Sequence, residues 1–279
     1  MKYKKVTYII ATCLFMVYAL SLLIPFFYVI LNSFKTNGEF VNNVWSLPSK
    51  LIESGDSFQN YKKAFAEWDI ASMFINTIII TVGGTFFGVL SPLLVAYTLA
   101  KYKFKLNSII FSIALVFMVL PNTNSTVSTY TLLLNMGLLN SYIGLFLLYA
   151  GPFTSYFFIL YSFFKGISWS YAEAAYIDGA SDFVVFLKVM LPQAKAGVLA
   201  IVVMQAIGVY NDYFIPYMYM PNAYTIATGM QNLSYNASTT GAYVQMFAAI
   251  IVSTLPVVLL FISVQKTVMN NISVGGLKG

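Results

Sequence analysis

The chain has 279 residues, of which 59% are hydrophobic and only 9% are charged, and its formal net charge is +6. Because a soluble domain carries about 25% charged residues, this composition excludes a soluble enzyme and a soluble nucleic-acid-binding protein. The mean hydropathy of +0.78 indicates a membrane protein, and the scattered lysines are typical of topology signals rather than of a nucleic-acid surface. We therefore expect a lipid bilayer as the environment and no nucleic acid as a partner.

Several groups that enzymes use are absent from the sequence. It contains no histidine and no arginine, and its single cysteine, Cys13, lies in an apolar run. Histidine is the commonest general base and metal ligand, and a cysteine metal cluster needs several thiols. The G-x-x-x-x-G-K-[ST] phosphate loop of ATPases is also absent from the sequence. We therefore expect no catalytic residue, no metal site and no cofactor in this chain.

Long stretches without a charged residue organise the chain, and a membrane helix needs about 20 mostly apolar residues. The charge-free runs are Val6–Phe34, Ile70–Ala100, Leu106–Phe164, Ala196–Asn211 and Tyr213–Gln265. Polar segments at 121–126 and 221–240 separate further spans. The pattern predicts an all-α protein with one transmembrane domain over 1–279 and six membrane helices, at about 8–31, 72–99, 107–128, 141–163, 197–219 and 243–266.

The lysines predict the orientation, because cytoplasmic loops carry an excess of basic residues. With both termini in the cytoplasm, the inner segments hold Lys2, Lys4, Lys5, Lys101, Lys103, Lys105, Lys165, Lys188, Lys195, Lys266 and Lys278. The outer loop 32–70 holds the remaining four lysines together with five acidic residues. The first apolar run is longer than a signal-peptide core and lacks an A-x-A-like site after it, so we expect an uncleaved first span.

Among the loops predicted to face the cytoplasm, 165–195 holds the most charged residues. The spacing of Ser170 and Glu173 fits a capping box, and it predicts a helix that runs through Asp178 and stops at Gly179. A second helix is expected from about 181 to 190, ending ahead of Pro192. The residues alone leave two readings open for this helix-turn-helix, an amphipathic surface helix or a docking site for another protein.

In this loop, Glu173-Ala174-Ala175 is followed after three residues by Gly179, and after nine more by Val189-Met190-Leu191-Pro192. This spacing resembles the EAA loop of binding-protein-dependent ABC importer permeases. Further segments resemble the MalG type of carbohydrate permease within this family. They include Asn211-Asp212-Tyr213-Phe214 with Pro216, which resembles W-N-x-F-x-x-P-L with Tyr210 in place of tryptophan, and the ending Gly275–Gly279, which resembles A-G-A-V-K-G.

The resemblance implies a MetI/MalG-like permease subunit in the bacterial cytoplasmic membrane. Its expected partners are a second, MalF-like permease, two ATPase subunits that bind ATP and Mg²⁺, and an extracytoplasmic solute-binding protein. The expected cargo is a carbohydrate, with an oligosaccharide favoured, moved by ATP-driven alternating access. The residues implied in coupling to the ATPase are Glu173, Ala174, Ala175, Asp178, Gly179, Gly275, Gly276 and Lys278.

Candidates for the solute path lie near the outer end of the fifth span, at Asn211, Asp212, Tyr213 and Tyr217. Asp212 is the one acidic residue inside a predicted span, and a charge there is a functional hypothesis because its insertion costs about 2.5–3.5 kcal/mol. It either bonds a sugar hydroxyl or ties its span to a neighbouring helix. The alternative function is an ion-coupled secondary transporter, for which Asp212 alone would be available.

Overall fold

The computed structural model of the chain describes residues 2–49, 58–67, 69–119 and 126–272. All regular structure in these ranges is helical, which confirms the predicted all-α class. Three helical segments are long and apolar enough to cross a membrane, namely Tyr8–Ser33, Ile70–Lys101 and Asp182–Asn211. Asn107–Val119 and Tyr243–Pro256 are shorter apolar helices.

Helices make up most of the described residues. Their bounds, with our labels, are α1 Lys2–Ser33, α2 Asn37–Asn42, α3 Gln59–Glu67, α4 Ile70–Lys101, α5 Asn107–Val119, α6 Thr126–Asn135, α7 Tyr142–Tyr149, α8 Ser155–Gly166, α9 Ser170–Ile177, α10 Asp182–Val185, α11 Leu191–Asn211, α12 Phe214–Tyr219, α13 Ile226–Thr240 and α14 Tyr243–Ile272. A π-helical segment, Phe186–Met190, connects α10 to α11.

Two of the predicted spans differ from the helices in the structure. The fourth span (141–163) consists of α7 and α8 with a non-helical segment around Pro152, and the fifth (197–219) is interrupted after Asn211. Within the third span (107–128), residues 120–125 lie outside the described part. Such breaks leave backbone groups without helical partners, so other polar groups must satisfy them. The chain forms two compact units. The assignment of one transmembrane domain over 1–279 stays a prediction.

The first unit comprises Met1–Ser72 and Gly229–Pro256. Aromatic rings pack its helices together: the Tyr28 ring centroid lies 5.4 Å from that of Trp45 and 5.6 Å from that of Phe247. Rings at these separations contribute about 0.5–1.5 kcal/mol per pair beyond their buried area. This packing fixes α1 against the segment that follows it.

Polar contacts stabilise the charged segment after α1. Lys35 is fully buried, and its Nζ donates to the carbonyl oxygens of Asn43 at 3.0 Å and Val44 at 2.8 Å. The Asn60 amide donates to the carbonyls of Ser33 and Lys35, both at 2.7 Å. A buried ammonium is tolerated when acceptors replace its water. Lys35 therefore holds the start of this segment to residues 43 and 44.

The second unit comprises Met73–Thr228 and Val257–Gly279. Its largest cluster of buried apolar side chains joins α4, α8, the helix-turn-helix and α11. The members are Val89, Leu93, Ala96, Tyr97, Leu99, Ala114, Phe157, Leu160, Phe164, Ala172, Val185, Phe186, Met190, Ala194 and Ile201. Because Ala172, Val185 and Phe186 belong to this cluster, the loop 165–195 is anchored in the same core as the apolar helices.

Candidate functional site

Helix α9 carries the EAA residues, and it begins one residue earlier than predicted. Its N-cap is Trp169, which makes no side-chain capping bond. The amides of Ala172 and Glu173 donate to the Trp169 carbonyl at 2.9 and 3.2 Å. Ser170 is therefore already inside the first turn, where its hydroxyl is not placed as an N-cap acceptor. The predicted capping box between Ser170 and Glu173 is wrong.

Gly179 ends this helix as predicted. Its φ is +81°, in the left-handed region that side chains with a Cβ disfavour. The Gly179 amide donates to the Tyr176 carbonyl, and the Ala180 amide donates to the Ala175 carbonyl, both at 3.0 Å. These two bonds are those of a Schellman motif. The motif turns the chain sharply between α9 and α10.

The second helix of the loop does not end ahead of Pro192. The π-helical segment Phe186–Met190 continues it directly into α11. The Leu191 amide donates to the Phe186 carbonyl, five residues back. Pro192 then falls in the first turn of α11, where a missing N–H is tolerated. The predicted helix end is wrong because the π turn shifts the hydrogen-bond ladder before the proline.

One face of this helix-turn-helix is exposed and carries large apolar side chains. Tyr171 is 54%, Ile177 86% and Phe183 69% exposed. Glu173, Ala174, Asp178 and Gly179 are also exposed, while Ala175 is half-buried against the core. The structure thus brings the five EAA-loop residues together on one segment beside three apolar side chains. These three residues were not among the predicted site residues. Large apolar residues in a loop predicted to face the cytoplasm could have indicated them, because such residues are otherwise buried.

Three polar side chains from different elements meet beside the Gly179 turn. Tyr176 donates to Asp182 Oδ1 at 2.6 Å, and Tyr102 donates to the same atom at 3.0 Å. The two phenol oxygens are 3.2 Å apart. Tyr102 directly follows α4, so this group, which we call the tyrosine–aspartate cluster, joins α4 to both helices of the loop. Next to it, the Lys101 ammonium donates to the Ile167 carbonyl.

The cluster shifts the acid–base properties of its members. Hydrogen bonds from Tyr176 and Tyr102 lower the pKa of Asp182, because they stabilise the carboxylate. Burial, and then the hydrogen bond to Asp182, raise the pKa of Tyr176. Burial, followed by the hydrogen bond with Tyr176, raises the pKa of Tyr102. The cluster therefore contains one carboxylate and two neutral phenols at neutral pH.

Asp212 lies at the break between α11 and α12, and both of its carboxylate oxygens are engaged. The Tyr149 hydroxyl donates to Oδ2 at 2.9 Å. The amides of Phe214 and Ile215 donate to Oδ1 at 2.9 and 3.2 Å. A carboxylate placed in this way caps a helix start. Asp212 thus connects the start of α12 to the end of α7.

The other path candidates have different surroundings. The Asn211 amide donates to the Ile207 carbonyl at 2.9 Å within its own helix. Tyr213 and Tyr217 are exposed, at 50% and 57%. Asn211 and Tyr213 flank Asp212 and Tyr217 lies five residues after it, but no contact in the described residues assigns any of them to a solute.

An apolar groove lies between α4 and α11, and α4 carries two buried hydroxyls beside it that the sequence pattern did not reveal. Its volume is about 480 Å³, and its lining includes Thr81, Thr85, Val202 and Ala206. The hydroxyl oxygens of Thr81 and Thr85 are buried, and neither has a hydrogen-bond partner in the described part of the chain. A threonine in an apolar helix gives little signal in a hydropathy pattern, because its hydroxyl usually bonds to its own backbone.

Comparison with known proteins places these features in a family. The sequence profile described as "Binding-protein-dependent transport system inner membrane component" matches residues 2–273. The chain belongs to this family. The predicted resemblance to importer permeases is thereby confirmed, and so is the prediction of a multi-pass protein of the cytoplasmic membrane.

Relatives of this inner membrane component match along most of its length. The diacetylchitobiose uptake system permease protein NgcG of Streptomyces coelicolor is 31% identical over 271 residues, 95% of this chain and 87% of the relative. The melibiose/raffinose/stachyose import permease protein MelC of Bacillus subtilis is 26% identical over 272 residues, 97% and 96% of the two chains. A crystal structure of a bacterial ABC transporter that imports the acidic polysaccharide alginate has the same fold, with a TM-score of 0.79, 23% identity and coverage of 95% and 98%.

The tail residues of this inner membrane component stay untested. Gly275, Gly276 and Lys278 lie outside the described residues. Their assignment to ATPase coupling therefore depends on the sequence resemblance alone.

Proposed function

We propose that the chain is a permease subunit of an ABC importer for an oligosaccharide, and that the exposed face of its helix-turn-helix is the contact with an ATPase subunit. The observation that carries this proposal is the exposure of Tyr171, Ile177 and Phe183 beside Glu173. An exposed cluster of this kind is typical of a protein interface. One carboxylate at its edge can pair with a basic group on the partner.

The proposed cargo follows from the relatives. NgcG is named for diacetylchitobiose, and MelC for melibiose, raffinose and stachyose. All of these are short oligosaccharides.

The proposed mechanism is alternating access, with the energy supplied by separate ATPase subunits. ATP and Mg²⁺ bind to the two ATPase subunits, and the energy reaches the permease as a displacement of α9. Because Ala172, Val185 and Phe186 are buried in the core of the second unit, α9 moves with that core as a rigid body. A second permease completes the path, and an extracytoplasmic binding protein delivers the sugar.

An ion-coupled transporter fits the structure less well. Such a protein needs an ionisable group that can exchange its partners for a driving ion. In the described part of the chain, Asp212 is the acidic residue of the predicted spans, and Tyr149 and two backbone amides already occupy both of its oxygens. Binding an ion there would break a helix cap.

The docking proposal is tested by retention of co-expressed ATPase subunits on the affinity-tagged permease pair. We expect Ile177→Asp to lower retention at least tenfold, because it places a charge at the centre of an apolar contact, and Glu173→Lys to lower it as well. Val41→Asp is the matched control, since Val41 is 76% exposed and lies in α2. Equal retention for Ile177→Asp and Val41→Asp would overturn the docking assignment.

A further inference from the structure

Two hydrogen bonds to one carboxylate oxygen hold the tyrosine–aspartate cluster together at the Gly179 turn. Tyr176 stands near the end of α9, and Asp182 begins α10 on the other side of the turn. Their 2.6 Å bond spans six residues and therefore fixes the angle between the two helices. Tyr102 adds a bond to the same oxygen from 80 residues away in the chain.

Aromatic packing holds the phenol of Tyr102 in place. Its ring centroid lies 5.7 Å from those of Trp169 and Tyr97, and both pairs meet edge to face. Trp169 is the N-cap of α9, and Tyr97 is a buried member of α4. The ring is thus positioned by α4 and by the start of α9 at once. Held in this way, the hydroxyl loses little conformational freedom when it bonds to Asp182.

We propose that Tyr102, Tyr176 and Asp182 are positioning residues that clamp the helix-turn-helix to the end of α4, so that a push on α9 is transmitted to that helix. The proposal rests on the proposed function, because it assumes that an ATPase displaces α9. The side chains themselves contact neither nucleotide nor solute in it. Their role is to prevent α9 from turning about the Gly179 hinge while α4 stays still.

The clamp compensates for the flexibility of the Gly179 turn, which lies in the loop that transmits the movement of the ATPase. A Schellman turn is held by two backbone bonds only, at Gly179 and Ala180. The Tyr176–Asp182 bond bridges the same turn with a charged acceptor, and such hydrogen bonds are roughly twice as strong as neutral ones. Without them, the apolar contacts of Ala172 and Val185 would resist sliding, but they are not directional.

The test compares sugar uptake with ATP hydrolysis in proteoliposomes that contain the whole transporter. We expect Tyr102→Phe, Tyr176→Phe and Asp182→Ala to retain the ATPase subunits and hydrolyse ATP, but to move three- to tenfold less sugar per ATP. Asp182→Asn keeps an acceptor oxygen, so it should recover part of the loss. The double variant Tyr102→Phe/Asp182→Ala should be no worse than Asp182→Ala, because the three groups act as a unit. Tyr161→Phe is the matched control, since it removes the same atom from a ring that packs on Phe111.

A second readout measures the clamp directly. Spin labels at positions 103 and 187, in a Cys13→Ser background, report the distance from the end of α4 to the helix-turn-helix in the assembled transporter. We expect Asp182→Ala to broaden this distance distribution and Tyr161→Phe to leave it unchanged.

The outcomes separate the clamp from the proposed function. An unchanged ratio of sugar to ATP in all three single variants would overturn the clamp and leave the importer assignment intact. So would an equal fall of assembly, hydrolysis and uptake, because that pattern shows a role in folding only. Uptake by the unmodified transporter that needs no ATP would instead overturn the proposed function itself.

Discussion

The hydroxyl of Tyr149 donates a 2.9 Å hydrogen bond to Oδ2 of Asp212. Tyr149 is the last residue of α7, and Asp212 follows the last residue of α11. Each therefore lies at a break in an apolar segment that hydropathy predicts to be continuous. The bond joins the two breaks and satisfies a carboxylate that would otherwise be costly at this depth.

Loss of this bond is expected to affect stability more than sugar recognition. Tyr149→Phe should lower the free energy of unfolding by about 1.5–3 kcal/mol, the range for hydrogen bonds to charged groups, and change the half-saturating sugar concentration less than twofold. Thermal unfolding in detergent and uptake kinetics measure the two quantities, with Tyr130→Phe as a control on a partly exposed ring. Unchanged stability together with a strongly raised half-saturating concentration would favour a direct role of Asp212 in sugar binding.

Protonation of Glu39 at low pH is expected to destabilise the segment after α1. The Glu39 carboxylate accepts from the amides of Thr36 at 2.7 Å and Ser49 at 2.8 Å, and Thr36 caps α2 in return. Burial opposes ionisation of Glu39, but the hydrogen bonds from Ser49 and Thr36 outweigh it and lower its pKa to about 2. Because the folded value is depressed, the stabilisation is complete above about pH 4.5 and is lost as the pH falls towards 2.

The fluorescence of Trp45, which packs on Tyr28, reports this segment in a Trp68→Phe/Trp169→Phe background. We expect the acid transition to begin below pH 4.5 in the parent. Glu39→Gln should lower stability by about 1 kcal/mol, as for a lost helix cap, and should remove the pH dependence in that window. An identical acid transition in the parent and in Glu39→Gln would contradict the assignment.

Replacement by alanine is expected to affect stability differently at Gly179 and at Gly166. Both Gly179 and Gly166 have open space where a Cβ would stand, but only Gly179 has a positive φ. Gly179→Ala should therefore destabilise the protein by about 1–2 kcal/mol through backbone strain, whereas Gly166→Ala at the end of α8 should be neutral. Gly179→Asn should recover part of the loss, since asparagine tolerates this conformation. Equal melting temperatures for the two alanine variants would contradict the role of the turn.

Most of the architecture could be predicted from the charge-free runs and from a few residues that end helices. The runs identified the apolar segments because lipid excludes charge, and Gly179 identified the helix stop because the left-handed region favours glycine. The continuation of α10 through Pro192 was not predictable, since it depends on a π turn that has no pattern of its own. The contact of Tyr102 with Asp182 joins residues 80 positions apart, which a single sequence does not reveal.

The tail is expected to take part in coupling, a prediction that comes from its sequence. Deletion of residues 275–279 should leave membrane insertion and permease pairing intact and lower sugar-stimulated ATP hydrolysis several-fold. The three glycines of this segment let a backbone approach another protein closely. Normal uptake and hydrolysis in the deletion variant would show that the tail is dispensable.

ATP hydrolysis by the partner subunits, coupled through α9, is expected to drive sugar uptake by this permease. The most direct measurement is uptake of a labelled oligosaccharide into proteoliposomes with ATP enclosed on the ATPase side, binding protein on the other side, and an ionophore present or absent. We expect uptake that requires both ATP and the binding protein and is unchanged by the ionophore. Uptake that continues without ATP and collapses with the ion gradient would contradict it.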